Sequence, residues 1–342
     1  TVKNCSSSAN ITSSSYGVGG LVGFCQNANW STAFGTIAGC TISGSSYSGT
    51  MTVSDTERGQ DPIYGGVVGV VSGATTNSNA QVTNCNFNGT INLTSANSNA
   101  AIGGIVGMSF PKNASFTSCT VGSNASFSLP ESIPDCGVFV GGVVGCLVRH
   151  ATISGATITA TLPTNNYTVK EVSSKTTTTG IVTGDWIGYF NSGSTTDRDD
   201  GMLVLTGNII GNTGALTGGV VPNGVTLESS NLLPVTGAGN TLRLVVEGGG
   251  KIGTITTQAG IASLTNAGTV DSITAAYIGN DNSTNRSGVK NSGTIGNLNA
   301  SSIIVVLENT GTITSVKSTN GLVRLCTNQE NGIINSVETA AM

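Results

Sequence analysis

Short apolar runs bracketed by glycines recur along the first half of the chain. The first is Gly-Gly-Leu-Val-Gly at residues 19–23, and further copies begin at Gly65, Gly103 and Gly141, at steps of 46, 38 and 38 residues. Such a period is typical of a solenoid or an array. Each copy predicts a short buried strand, and glycine permits a sharp corner, including positive φ, and a close approach of neighbouring backbone. One such strand cannot bury both faces alone, so we expect the copies to stack about 4.8 Å apart and pair.

A second landmark accompanies the first. A cysteine precedes each glycine copy, and the four cysteines are Cys5, Cys40, Cys85 and Cys119. Gly-Thr-apolar segments follow at Gly49 and Gly89, and residues 151–155 (ATISG) match residues 40–44 (CTISG) with alanine in place of cysteine. One unit therefore predicts three short strands joined by variable loops. A degenerate fifth glycine copy is predicted at residues 180–184.

The glycine copies and the recurring cysteine together resemble the GLUG repeat, a glycine-rich motif of bacterial surface proteins. The resemblance covers about residues 1–165, roughly half of the chain. The motif is short and made of common residues, and four ordered copies with a cysteine make it more specific than one copy. The resemblance implies an exported, adhesin-like protein, and it brings no catalytic residues with it.

The last third of the chain shows a tighter repeat. Gly-Thr-apolar or related segments begin at Gly250, Gly268, Gly293, Gly311 and Gly332, at steps of 18, 25, 18 and 21 residues. An asparagine stands two residues before the glycine at Asn266, Asn291 and Asn309, and such amides can stack along a ladder of strands. A turn length near 20 residues suits a parallel β-helix. We therefore predict an all-β fold, a right-handed parallel β-helix with glycine-rich short strands and variable loops.

Three regions follow from these patterns. Residues 1–165 hold the GLUG-like repeats, residues 166–250 form a transition region, and residues 251–342 hold the tighter repeats. One continuous solenoid and two abutting solenoids are both compatible with this organisation. The open ends of a solenoid expose unpaired strand edges, so we expect caps, including a tail from Val337 to Met342 or a partner, and stacking of bare edges would give a weak homodimer.

Composition supports the β prediction and excludes several function classes. Charged residues make up 9% of the chain and glycine 49 of its 342 residues, which disfavours long helices. Disorder is rejected because 37% of residues are hydrophobic and recur in register. The net charge of −4 and the absence of a basic patch argue against nucleic acid as a partner, and no apolar run is long enough to span a membrane.

The eight cysteines favour packing over chemistry. At equivalent repeat positions, Cys5, Cys40, Cys85 and Cys119 would form a buried ladder whose parallel Cα–Cβ bonds suit disulfides poorly. Cys136 with Cys146, or Cys25 with Cys40, are the better disulfide candidates. The chain has one histidine, His150, and no C-x-x-C segment, so we predict neither a metal nor another cofactor.

The candidate ligand site is the densest aromatic and charged stretch. Asp185, Trp186 and Tyr189 precede a charged run that contains Asp197, Asp199 and Asp200. Aromatic rings of this kind stack on sugars in ligand grooves, and clustered carboxylates can bind calcium. The alternatives are a hydrophobic plug where two solenoid halves meet and a solvated turn. No carboxylate pair recurs in register, so we predict no catalytic residue.

Together these patterns predict an adhesin-like β-solenoid that binds a glycan or a host or matrix protein through surface loops. A structural stalk that displays another domain and, as a lesser alternative, a polysaccharide-cleaving β-helix enzyme remain open. The predicted location is the bacterial cell surface, at the outer membrane, or the extracellular space. The chain starts inside a repeat, at residues 2–5, so upstream residues such as a removed export signal are expected.

Overall fold

In the computed structural model, every regular element among the described residues is a β-strand. The described residues are 1–27, 40–55, 62–73, 79–111, 113–131, 133, 136–147, 151–164, 166–172, 175–190, 203–205, 209–216, 218–221, 223–224, 226–231, 243–257, 260–281 and 286–340. They contain no helix long and apolar enough to cross a membrane. The chain divides into two compact units, the first comprising residues 1–170, 177–203 and 213–215, and the second residues 171–176, 204–212 and 216–342.

The first unit is built from repeats, each of which has five strands. The described residues contain five such repeats. Repeat 1 holds β1 (Val2–Lys3), β2 (Ser6–Ser7), β3 (Ile11–Ser13), β4 (Val18–Gly19) and β5 (Val22–Asn27). Repeat 2 holds β6 (Cys40–Ser43), β7 (Ser46–Tyr47), β8 (Thr50–Val53), β9 (Ile63–Gly65) and β10 (Val68–Gly73). Repeat 3 holds β11 (Asn79–Thr83), β12 (Asn86–Phe87), β13 (Thr90–Leu93), β14 (Ala100–Gly103) and β15 (Val106–Ser109). Repeat 4 holds β16 (Asn113–Thr117), β17 (Thr120–Val121), β18 (Ser126–Ser128), β19 (Gly137–Gly141) and β20 (Val144–Leu147). Repeat 5 holds β21 (Ala151–Ser154), β22 (Thr157–Ile158), β23 (Asn166–Val172), β24 (Lys175–Gly184) and β25 (Ile187–Phe190).

Strands at the same place in successive repeats pair in parallel. We call the five resulting sheets A to E, after the first to the fifth strand of each repeat. Sheet A, for example, joins β1, β6, β11, β16 and β21. Sheet C joins only β3, β8, β13 and β18. The all-β, parallel prediction is therefore confirmed, whereas the prediction of three strands per repeat is wrong, because two-residue strands such as β2 and β7 carry too little pattern to be read.

The fifth glycine copy lies at residues 184–188, four residues after the predicted one. Gly141 pairs with Gly184, and Val144 pairs with Ile187. Trp186 therefore takes the place of Val143, and its carbonyl oxygen accepts a hydrogen bond from the N–H of Val143. The predicted position was wrong because Gly180 and Gly184 are both glycines, so the sequence alone does not show which of them begins the fifth copy.

The repeated glycines are required by close approach, not by positive φ. A Cβ atom on Gly66 would overlap the carbonyl oxygen of Gly104 and the ring of Phe87. Gly20 faces the ring of Tyr47 in the same way, and Gly104 faces Val121. The second glycine of each copy thus makes room for the sheet B side chain of the next repeat.

Positive φ occurs instead at the corner between sheets A and B. There Asn4, Asn84 and Ser118 have φ of 52°, 53° and 53°, and Gly44 and Gly155 occupy the equivalent positions. Asparagine tolerates this left-handed conformation better than most residues. The corner residue precedes Cys5, Cys85 and Cys119, which explains why Asn-Cys and Ser-Cys pairs recur in the sequence.

One member of the predicted cysteine ladder is misplaced. Cys40 pairs with Ala80 in sheet A, and Ser45 takes the position of Cys5 and Cys85. Cys40 forms a disulfide with Cys25, with the two Cα atoms 6.2 Å apart, as one of the two sequence candidates predicted. The other candidate is wrong, because no disulfide joins Cys136 to Cys146.

The strands that follow in chain order belong mainly to the second unit. They are β26 (Leu203–Leu205), β27 (Ile209–Leu216), β28 (Gly218–Val221), β29 (Thr226–Asn231), β30 (Arg243–Val246), β31 (Lys251–Thr256), β32 (Gly260–Ile261), β33 (Ser263–Asn266), β34 (Thr269–Ala275), β35 (Tyr277–Ile278), β36 (Val289–Asn291), β37 (Thr294–Ala300), β38 (Ile304–Asn309), β39 (Thr312–Ser318), β40 (Val323–Asn328) and β41 (Ile333–Thr339). Lys251 pairs with Thr269, Thr269 with Thr294, Thr294 with Thr312 and Thr312 with Ile333. This register confirms the predicted steps of the tighter repeat. A cap was predicted to begin at Val337. This boundary is wrong, because Val337 lies within strand β41.

The recurrent asparagines form a buried amide ladder. Asn266 donates from Nδ2 to Oδ1 of Asn291 at 2.7 Å, and Asn291 donates likewise to Asn309 at 2.8 Å. Asn309 donates to Asn328 at 2.8 Å, which adds a fourth rung that lacks the Asn-x-Gly pattern. The amides also donate to backbone carbonyls at the corner, for example Asn291 to the oxygen of Thr312. Side-chain amides therefore hydrogen-bond to the backbone carbonyls of the next repeat at this corner.

We expect Gly66→Ala to lower the free energy of unfolding by about 3 kcal/mol, at the upper end of overpacking costs. The methyl group would have to displace the backbone of Gly104 or the ring of Phe87. Thermal and chemical denaturation of the purified protein would measure the change. Gly248→Ala is the control, because a Cβ atom there meets nothing closer than 4.0 Å; equal effects of the two changes would contradict the packing explanation.

We expect Asn291→Ala to lower the free energy of unfolding by about 2–4 kcal/mol, because it removes the acceptor of the Asn266 amide and the donor to Oδ1 of Asn309 inside the ladder. Asn297→Ala removes an exposed asparagine from neighbouring strand β37 and should change stability little. Urea unfolding of both variants provides the comparison. A loss for Asn291→Ala no larger than that for Asn297→Ala would show that the ladder does not stabilise the unit.

Candidate functional site

The aromatic residues of the sequence-predicted site lie in the core. Trp186 and Tyr189 are only 8% and 7% exposed. Trp186 continues the buried column of Val67, Ile105 and Val143, and Tyr189 packs on the ring of Phe139 with centroids 5.0 Å apart. Neither ring offers an open face to a sugar, so the structure gives both residues a packing role in repeat 5.

The acidic residues of the predicted site do not form a cluster in the described structure. Asp185 is partly exposed and takes the place of Gly142, the second glycine of its copy. Asp197, Asp199 and Asp200 lie outside the described residues. Among the residues that the structure describes, no group of three or more histidine, cysteine, aspartate or glutamate side chains is arranged to hold a metal ion.

A surface groove of about 300 Å³ lies where repeats 4 and 5 meet. Its lining comes from the loop after β18, from the start of β23 and from the middle of β24, and consists of Pro130, Glu131, Ile133, Asn166, Tyr167, Thr168, Thr179, Gly180 and Ile181. All of these residues belong to the first unit. Its size is at the lower end of the range for small-molecule sites.

The groove exists because repeat 5 departs from the sheet pattern. Repeats 1 to 4 each contribute a strand to sheet C, whereas residues 160–164 form no strand and β23 lies beside β24 instead. Thr168 and Thr179 share a hydrogen bond of 2.8 Å between their hydroxyls. Pro163 has no N–H to donate to a sheet ladder, which is a local reason for the missing strand.

Gly180 lets the two strands of the groove approach. Its φ is +101°, and a Cβ atom there would overlap the carbonyl oxygen of Asn166. Its N–H donates to the carbonyl of Cys136 at 2.8 Å. This close approach brings Asn166 and Tyr167 of β23 next to Gly180 of β24, and all three residues line the groove.

The groove combines an apolar floor with polar groups of several kinds. Ile133 is buried, whereas Glu131, Asn166 and Thr168 are exposed. Burial raises the pKa of the Tyr167 phenol, so this group stays neutral and able to donate a hydrogen bond at physiological pH. An aromatic face, an amide, hydroxyls and one carboxylate are groups that recognise sugars and polar peptides.

Sequence reasoning missed these residues. A weak signal was present, because Gly184 follows Gly141 by 43 residues, against 38 for the two steps before it. The extra residues and Pro163 mark the place where repeat 5 differs. Nothing in the local sequence shows that Glu131 and Tyr167, which lie in different repeats, line one groove.

Two buried polar clusters outside the groove are structural. Oδ2 of Asp55 accepts hydrogen bonds from the backbone N–H groups of Asn97 and Ser98, at 2.8 and 2.7 Å, and from the Ser98 hydroxyl. The buried thiols of Cys85 and Cys119 donate to backbone carbonyls, for example that of Cys119 to the carbonyl of Val82 at 3.5 Å. The interaction between the two thiols lowers the pKa of Cys85 and raises that of Cys119. Both thiols are buried, which agrees with their predicted packing role.

Comparison of the chain with protein-family models, curated proteins and solved structures gave no match.

Proposed function

We propose that this chain is an adhesin-like β-solenoid of the bacterial cell surface or extracellular space, with right-handed coils, that binds a glycan. The groove between repeats 4 and 5 is the site that we propose for the ligand. Its lining of Tyr167, Asn166 and paired threonine hydroxyls over an apolar floor is the observation that carries the proposal. The resemblance of residues 1–165 to GLUG repeats supports the surface location.

The composition of the groove favours binding without catalysis. Glycosidic hydrolysis generally uses two carboxyl groups on either side of the scissile bond. Among the lining residues that the structure describes, Glu131 is the one carboxylate. A binding role needs no second acid. The same single charge favours neutral sugars over acidic ones, because a carboxylate repels a uronic or sialic acid.

A polar segment of a host or matrix protein is the second ligand class that these groups suit. Asn166 and the threonines can donate to and accept from peptide groups as readily as sugar hydroxyls. The proposed mode of action is the same in both cases, since a rigid repeat frame holds an irregular segment that carries the recognition residues.

We expect Tyr167→Ala to weaken glycan binding about tenfold or more, because the variant removes the one aromatic side chain among the described lining residues. A neutral-glycan array would identify the ligand, and calorimetry would compare the affinities. Tyr16→Ala is the matched control, since Tyr16 is a partly exposed tyrosine of repeat 1 that packs on Phe24.

Equal losses in both variants would contradict the groove as the site. Binding to matrix proteins alone, with the same dependence on Tyr167, would replace the glycan by a protein ligand. Silence of the intact protein towards both ligand classes would contradict the adhesin proposal and favour a stalk.

A further inference from the structure

The disulfide of the first unit lies at the junction between repeats 1 and 2. Cys25 belongs to β5, the last strand of repeat 1, and Cys40 is the first residue of β6 in repeat 2. Their Cα atoms are 6.2 Å apart, and 15 positions separate them in the sequence. The bond, which we call the junction disulfide, therefore closes the chain where it passes from one repeat to the next.

The other three junctions between repeats 1 to 5 have buried side chains in place of the two cysteines. The register of sheets E and A aligns Cys25 and Cys40 with three pairs of residues, namely Val71 with Ala80, Ser109 with Ala114, and Leu147 with Ala151. All six of these residues are buried. Packing alone therefore occupies this place at the later junctions, whereas a covalent bond occupies it at the first.

The first junction also has the longest connection of the four. Residues 28–39 join β5 to β6, whereas the equivalent strands at the later junctions are joined by residues 74–78, 110–112 and 148–150. Closing a longer segment costs more conformational entropy, and a cross-link removes that entropy from the open state. The disulfide thus lies at the junction where closure by packing alone is most costly.

The two cysteines differ in their access to solvent. Cys25 is partly exposed, whereas Cys40 is only 6% exposed. A disulfide is reduced by attack of a thiolate on one of its sulfur atoms, and the attack requires access to that atom. A reductant can therefore approach the junction disulfide from the side of Cys25.

We propose that the junction disulfide is a redox-sensitive cross-link, which a dithiol reductant opens at the first junction while repeats 3 to 5 stay folded. One thiolate of the reductant attacks Sγ of Cys25, and Cys40 leaves as a thiolate that takes up a proton. The second thiolate of the reductant then attacks the mixed disulfide and releases Cys25. Two protein thiols form, and the reductant leaves as a cyclic disulfide.

The effect of reduction is local for two reasons. Each repeat of a solenoid contacts only its neighbours, so stability is approximately a sum of local terms. The later junctions are short and contain no disulfide within the described residues. The chain is therefore complete in an oxidising compartment, where disulfides persist, and a reducing one releases its first junction. The groove of repeats 4 and 5 has no part in this inference.

Hydrogen–deuterium exchange of the intact chain, with and without dithiothreitol, tests the proposal. Alkylation followed by mass spectrometry shows whether the Cys25–Cys40 bond is reduced. After reduction we expect amide exchange in β5 and β6 to become about 100-fold faster, as the entropy of closing a loop of this length implies. Exchange in β20 and β21, at the fourth junction, should not change.

The double variant Cys25→Val with Cys40→Ala separates the covalent bond from packing. It gives the first junction the residues that Val71 and Ala80 supply at the second. We expect β5 and β6 of this variant to exchange as fast as in the reduced protein. The variant should not respond to dithiothreitol, although it keeps the six free cysteines.

Four outcomes would overturn the proposal. The bond could resist dithiothreitol in the folded protein, or its reduction could leave exchange in β5 and β6 unchanged. Equal acceleration in β20 and β21 would mean that the disulfide supports the whole unit. A double variant that exchanges like the oxidised protein would assign the stability of the junction to packing alone.

Discussion

The first unit depends on how closely its repeats stack. Parallel pairing sets neighbouring strands about 4.8 Å apart. Within that spacing, the second glycine of each copy, at the corner between sheets D and E, lies against a sheet B side chain of the next repeat. Gly66 against Phe87 and Gly20 against Tyr47 show the result. No other residue lacks the Cβ atom that would collide, so this contact dictates glycine once per repeat, and the loops are free to vary.

The same contact explains where the pattern stops. The second glycine of each copy makes room for a sheet B side chain one repeat later, and the described part of sheet B ends with β22 of repeat 5. Asp185 stands at that glycine position in repeat 5, where no further sheet B strand of the described residues packs on it. A side chain at this position therefore agrees with the steric explanation of the repeated glycine.

The second unit solves the stacking problem differently. Its corner is held by the Asn266–Asn291–Asn309–Asn328 amide ladder, in which each of the first three amides donates to the amide of the next repeat. Buried amides are costly unless all of their hydrogen bonds are made, so the ladder favours one register over its neighbours. Steric fit in the first unit and hydrogen-bond satisfaction in the second thus achieve the same end, a single alignment of repeats. The groove proposed as the ligand site lies beside β23, where this alignment is interrupted in repeat 5.

The sequence by itself determined the β class, the period of both repeats and the Asn ladder, because these features repeat and a repeated constraint leaves a periodic trace. It offered the Cys25–Cys40 disulfide only as one of two candidates. It did not determine the roles of Trp186 and Tyr189, because the local sequence around an aromatic residue does not distinguish packing in a core from stacking on a ligand. It placed Cys40 on the wrong ladder, because the corner of positive φ at Gly44 precedes a serine rather than a cysteine. The groove was decided only by tertiary structure. Glu131 and Tyr167 meet through parallel stacking of two repeats, and a contact that occurs once leaves no period from which to infer it.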